Sequence, residues 1–93
     1  MRKIKQAGQF KRDLKREAKG LHRKLLQADF VSIIELLAKD CPLDSKYSDH
    51  PLSGTWVDHR DCHVKPDLVL IYRKTDDDVL QLVRLGSHSE LGL

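Results

Sequence analysis

Only two cysteines, Cys41 and Cys62, occur in 93 residues, too few for a disulfide framework. Nothing else points to secretion, so a reducing cytoplasm is the expected compartment, with both thiols serving as small hydrophobes. Long hydrophobic runs are missing as well: the longest, Leu68-Val69-Leu70-Ile71-Tyr72, falls far short of the roughly 18 residues of a membrane span. The charged N-terminus has no apolar segment behind it, which argues against a signal peptide. Aromatic residues are scarce. Phe10 and Phe30 fit a helical core and Tyr72 ends the longest apolar run, which leaves Tyr47 and Trp56, in or near a loop, as candidates to stack on a base, with Trp56 suited also to plug the edge of the core. No repeat, low-complexity tract or linker divides the chain, so residues 1–93 are expected to form one domain.

What is present is ordinary globular material, 40% hydrophobic and 33% charged, distributed unevenly in charge. Residues 1–24 carry ten Lys or Arg against two acids, a net of +8, and residues 25–93 carry seven against twelve, a net of −5. Such a basic segment is either the solvated face of helices or a site for a polyanion.

Phe10, Leu14 and Ala18 recur every four residues and predict a helix with one apolar face, stopped near Gly20. Leu25, Leu26, Phe30, Ile33, Ile34 and Leu37 predict a second, broader stripe that Asp40-Cys41-Pro42 ends. Together they suggest a helical hairpin, with a short strand over 2–5 before it. Residues 42–54 read as a polar surface loop, and the final third as three strands, 59–64, 68–73 and 79–85, joined by turns. The expected fold is α+β, with the helical hairpin packed on one face of a small, mainly antiparallel twisted sheet. The other sheet face is then left for water or a ligand.

Four of the five histidines fall in the second half: His50 in the loop, His59 and His63 in the first strand of the meander, and His88 after the last strand. Histidine exchanges protons most readily near neutral pH, so a convergent group would suit acid-base chemistry. Asp67 flanks the turn after His63, and Arg84 stands in an otherwise apolar strand. Arg84 reads either as a phosphate clamp or as a strand arginine paired with a neighbouring acid. Cys62 and His63 point to opposite faces of a strand, and His59 and His63 are too far apart along it to share a metal. The sequence therefore predicts no metal, no cofactor and no Cys-His nucleophile.

The string Asp49-His50-Pro51-Leu52-Ser53-Gly54-Thr55-Trp56, then Arg60-Asp61-Cys62-His63-Val64-Lys65-Pro66-Asp67, Leu70-Ile71-Tyr72 and Arg84-Leu85-Gly86-Ser87-His88, resembles the YafQ branch of the RelE-type bacterial toxins over almost the full length. The resemblance implies a RelE-like fold and the toxin of a type II toxin-antitoxin pair, an endoribonuclease that cuts mRNA in the A site of the 70S ribosome and is neutralised by a small antitoxin. It implies a catalytic group of His50, His63, Asp67, Arg84 and His88, with His88 the general acid and Arg84 the phosphate contact. RNA contacts are expected from Arg60, Lys65 and Trp56, and from Lys11, Arg12, Lys15 and Arg16 of the first helix. Related toxins often carry an aromatic shortly after the last histidine, where this chain reads Ser89-Glu90-Leu91. The alternatives are a non-catalytic module that binds RNA or protein, and a toxin relative that has lost activity.

Overall fold

A computed structural model describes residues 1–20 and 29–93. The element order is β1 (Lys3–Gln6), α1 (Gly8–Ala18), α2 (Asp29–Ala38), β2 (His50–Pro51), β3 (Arg60–Lys65), β4 (Leu68–Lys74), β5 (Val79–Gly86) and α3 (His88–Leu91). Short 3-10 turns at Ser45–Tyr47 and Gly54–Trp56 flank β2. The five strands form one sheet in the order β1-β5-β4-β3-β2, with β1 parallel to β5 and every other pair antiparallel. The meander and the short leading strand stand where the sequence predicts them, shifted by a residue or two. The parallel insertion of β1 beside β5, the small strand β2 and the helix α3 were not predicted.

The first helix packs differently from its predicted stripe. Phe10 and Asp13 are buried and Leu14 half-buried, whereas Ala18 is exposed. At 3.6 residues per turn, positions eight apart drift by about 80°, so the covered stripe follows 10, 13 and 14 rather than 10, 14 and 18. That spacing carries a carboxylate into the interior. In α2, Phe30, Ile33 and Leu37 are buried as expected, and Leu25 and Leu26 lie outside the described residues. The Phe10 and Phe30 rings stack with centroids 6.3 Å apart, joining the two helices over the sheet. The backbone leaves α2 through Asp40 at φ 56°, in the left-handed region, with the Cys41 N–H donating to the Leu36 carbonyl.

Strand alternation divides the buried residues between two faces. Leu68, Leu70 and Tyr72 of β4 join Cys62, Leu80, Leu82 and Leu85 beneath the helices. Val69 and Ile71 point the other way and form a smaller cluster with Leu91 of α3, against which Leu52, Trp56 and Val83 pack. The face expected to be open is therefore partly covered, by α3 and by the segment after β2. Between these two covers a cleft remains. Among the described residues no helix is long and apolar enough to cross a membrane.

Candidate active site

Register decides which polar side chains enter the cleft. His63 is opposite Val69, Asp61 opposite Ile71, and His50 of β2 opposite Asp61. Cross-strand partners project from the same face, so His50, Asp61 and His63 share the side of Val69 and Ile71 while Cys62 joins the core. The fourth member arrives from the far end of β5, where the Ser87 side chain caps α3 and sets His88 at its first position. The ring centroids of His63 and His88 are 4.9 Å apart, and those of His50 and His63 are 6.0 Å apart. These four residues line one cavity of about 720 Å³, with Trp56 and Leu91 among its apolar walls.

The His50-Asp61 contact has an unusual proton requirement. His50 Nδ1 lies 2.6 Å from the Ser48 carbonyl, which can only accept, so Nδ1 carries a proton. Nε2 then faces Asp61 Oδ1 at 3.0 Å. With Nε2 unprotonated, two lone pairs oppose each other; the contact becomes attractive only when one proton is held by the imidazole or by the carboxyl. Asp61 is 2% exposed, and among the described residues its Oδ1 accepts no hydrogen bond. Burial pushes its carboxyl above the ordinary range, against the pull of His50, His63 and His88. A buried carboxyl beside three imidazoles is poised to share and pass protons.

Asp61 is the residue that the sequence reading missed. The signal was present, because Asp61 stands two positions before His63 and a period of two puts both on one face. His50, Asp61 and His63 also have donor atoms within 4.8 Å of one another, which makes them the candidate metal-binding group among the described residues. Cys62, His59 and His63 taken alone do not reveal this set, since its donors come from two strands. The buried Cys62 thiol is pushed well above its ordinary range by burial, which leaves it inert as a nucleophile.

Apart from Trp56, the other expected site residues lie around the cleft rather than in it. Asp67 is exposed in the turn between β3 and β4. Arg84 pairs with Asp13 of α1, its Nε 2.8 Å from the carboxylate. Arg60 pairs with Asp49 at 3.2 Å and also donates to the Tyr72 hydroxyl, which itself donates to Asp49. Trp56 lines the cleft and meets His59 edge-on at 5.4 Å. Lys65 is exposed at the end of β3, beside a smaller hollow that it shares with Lys46, Tyr47 and His63. Lys11, Arg12 and Lys15 are exposed along α1, whereas Arg16 contacts Asp13, Glu17 and Glu90.

Residues 2–92 match the family described as the bacterial toxin of the type II toxin-antitoxin system, YafQ. The chain is 38% identical to the mRNA interferase toxin YafQ of Escherichia coli K12 over 90 residues, covering 97% of this chain and 95% of that protein. Its fold superposes on YafQ in the crystal structure of the E. coli DinJ-YafQ complex with a TM-score of 0.82 at 38% identity, covering 98% of each chain. A metal-bound toxin from Helicobacter pylori gives a TM-score of 0.85 at 46% identity, over 98% of this chain and 99% of that one. With these likenesses spanning nearly its whole length, the chain belongs to the YafQ family of type II toxin-antitoxin toxins.

Proposed function

We propose that this toxin is an mRNA interferase that cleaves mRNA in the A site of the 70S ribosome, and that a small antitoxin protein neutralises it. The observation that carries the reading is the convergence of His50, Asp61, His63 and His88 in one cleft. Attack by a ribose 2′-hydroxyl on the adjacent phosphate requires one group to take a proton and another to give one. The His50-Asp61 pair, whose facing Nε2 and Oδ1 lone pairs can receive one proton and hold it between them, is assigned the base side. His88, at the opposite end of the histidine row, is assigned the acid that protonates the leaving 5′ oxygen. His63 stands between them, where it can steady the charged intermediate. DNA lacks the attacking hydroxyl, so selectivity for RNA follows.

Asp67 as a further member of the base group rests on the family resemblance alone, as do RNA contacts by Arg60 and Lys65, whereas Trp56 lines the cleft within reach of a base. The exposed Lys11, Arg12 and Lys15 offer α1 as a surface for ribosomal RNA, and cytoplasmic action accords with such a target. Primer extension on programmed ribosomes tests the assignment. His88→Ala is expected to slow cleavage by about 10²- to 10⁴-fold. An unchanged cleavage rate would remove His88 from the reaction, and the absence of growth arrest when the wild-type toxin is induced would overturn the reading as a whole.

A second reading of the same donors is favoured by their spacing and by the metal-bound relative. Two imidazoles and a carboxylate suit a borderline transition metal, and the Nδ1 hydrogen bond of His50 to a carbonyl is the outer contact that metal-ligating histidines commonly make. A bound ion would occupy the base side and inhibit cleavage. Cleavage that rises on adding a chelator and falls on adding copper would support this; indifference to both would dismiss it.

A further inference from the structure

The cleft depends on a helix too short to hold itself. With four residues, α3 is a single turn, and a single turn has no stability of its own in water, so tertiary contacts must fix where His88 sits. One such contact is Leu91, buried in the smaller cluster. Another is the His63 ring, 4.9 Å from that of His88 between centroids, and a further set forms a polar chain that begins on the opposite side of the sheet edge.

β1 pairs with β5 only from Lys3 and Val79 to Gln6 and Leu82. Beyond Leu82 that edge of β5 has no neighbouring strand among the described residues, yet both backbone groups of Leu85 on that side are paired. Its N–H donates to the Asp13 carboxylate at 3.0 Å, and its carbonyl accepts from Arg16 Nη2 at 2.8 Å. Two side chains of α1 thus replace a strand. Asp13 is fully buried and also accepts from Arg84 Nε at 2.8 Å and from Arg16 Nη1 at 3.2 Å. Arg16 continues to Glu90 at 3.5 Å. Glu90 accepts the Ser87 N–H at 2.9 Å while its own N–H donates to the Ser87 hydroxyl, a reciprocal cap on the turn that begins with His88. Gly86 leaves room for the passage: a Cβ there would stand 3.0 Å from Arg16 Nη2 and 3.3 Å from Glu90 Oε1.

We propose that Asp13, Arg16, Arg84 and Glu90 form a clamp that positions His88, with Arg84 acting through Asp13 rather than on the phosphate. These are positioning residues, and the proposal rests on the reading of His88 as the general acid. A misplacement of about 1 Å in a catalytic group can lower the rate on the order of 100-fold, so a loosened clamp is expected to appear in kcat while ribosome binding persists.

The test uses the full-length toxin on 70S ribosomes programmed with a reporter mRNA, with the His50 and His88 ring signals followed by NMR in the free protein. Glu90→Gln preserves a side chain able to cap the turn but removes the charge that meets Arg16. It is expected to lower kcat by about tenfold with KM unchanged, and to shift the ring signals of His88 while leaving those of His50 in place. Asp13→Asn, Arg84→Gln and their double variant form a cycle. The clamp predicts that the double loses no more activity than the worse single, whereas an independent phosphate contact by Arg84 predicts multiplied losses and overturns the assignment. Should the buried Asp13 variant fail to fold, Glu90→Gln decides alone: unchanged kcat together with unmoved His88 signals overturns the clamp. His88→Gln separates the two ideas. If it cleaves normally, the general-acid reading fails, and the NMR shift in Glu90→Gln still reports whether the clamp holds the ring.

Discussion

Asp13 and Asp61 are the two buried carboxylates among the described residues, one beneath α1 and one in the cleft, and their surroundings are opposite. Burial by itself would raise Asp13, but hydrogen bonds from Arg84 and from the Leu85 N–H, with the charges of Arg84 and Arg16, outweigh it and hold the carboxyl below its ordinary range. Asp61 has only the pull of His50, His63 and His88 against its burial, and burial leaves its carboxyl raised. A carboxylate whose lone pairs are filled stabilises the structure around it. One left without a donor costs stability and keeps its capacity to take a proton. Hydrogen-bond partners therefore separate architecture from chemistry more sharply than burial does, since burial is nearly the same for both.

The largest expected difference is in activity. Asp61→Asn should lower mRNA cleavage by about 10²-fold or more in the primer-extension assay, because an amide cannot take up the proton that the base side must accept. Equal cleavage by the variant and the wild type would place the base elsewhere.

Stability should show the reverse order. Asp13→Asn removes charge-assisted hydrogen bonds to Arg84, Leu85 and Arg16, and urea denaturation is expected to show a loss of about 2 kcal/mol. Asp61→Asn, which deletes a buried charge without a donor, should match or exceed the stability of the wild type. A large loss in Asp61→Asn would mean that Asp61 is structural after all.

Acidification distinguishes the two more finely. Asp13 titrates lower in the folded than in the unfolded chain, so its contribution is complete above an unfolded value near 3.8 and disappears as pH falls through its lower folded value. Asp61 titrates higher when folded, so proton uptake returns stability as pH falls through its raised value. Denaturation from pH 7 down to 4 should therefore show the advantage of Asp61→Asn over the wild type shrinking. An advantage that stays constant would contradict the raised carboxyl.

The smallest effect concerns the basic face. Replacing Lys11, Arg12 and Lys15 by Gln should leave cleft and clamp intact and lessen the salt dependence of ribosome binding, by about 0.7 to 0.9 in the log-log slope for each phosphate no longer neutralised. Arg16 belongs to a different class, since its guanidinium is shared among Asp13, Glu17, Glu90 and the Leu85 carbonyl. An unchanged slope would remove α1 from the RNA interface.

Much of the fold was legible because periodicity is local. Leu68, Leu70 and Tyr72 alternating with Val69 and Ile71 mark a strand before any partner is known, although the cover over Val69 and Ile71 came only with the fold. The helix stripes were legible for the same reason, with an error at Ala18 that came from using a spacing of four where the helix turns every 3.6 residues. Within the site, the motifs singled out His50, His63 and His88, and alternation could have added Asp61. Asp13 was hidden because an acid on a lysine-rich helix looks solvated. The partner of Arg84 was hidden by distance, since 71 residues separate it from Asp13.

The amino-acid sequence by itself determined the class of each element, the histidine inventory and the membership of the chain in its toxin family, because these depend on neighbours a few residues away and on motifs in order. Only the tertiary structure decided which polar groups meet. Alternation assigns a side chain to a face but names no partner across it, and sheet order follows from long-range pairing. β1 inserts beside β5 and ends its pairing at Leu82, and that early end is why α1 supplies Asp13 and Arg16 to Leu85. From the same juxtaposition, one aspartate holds the strand leading to His88 and another is left in the cleft with a proton to share.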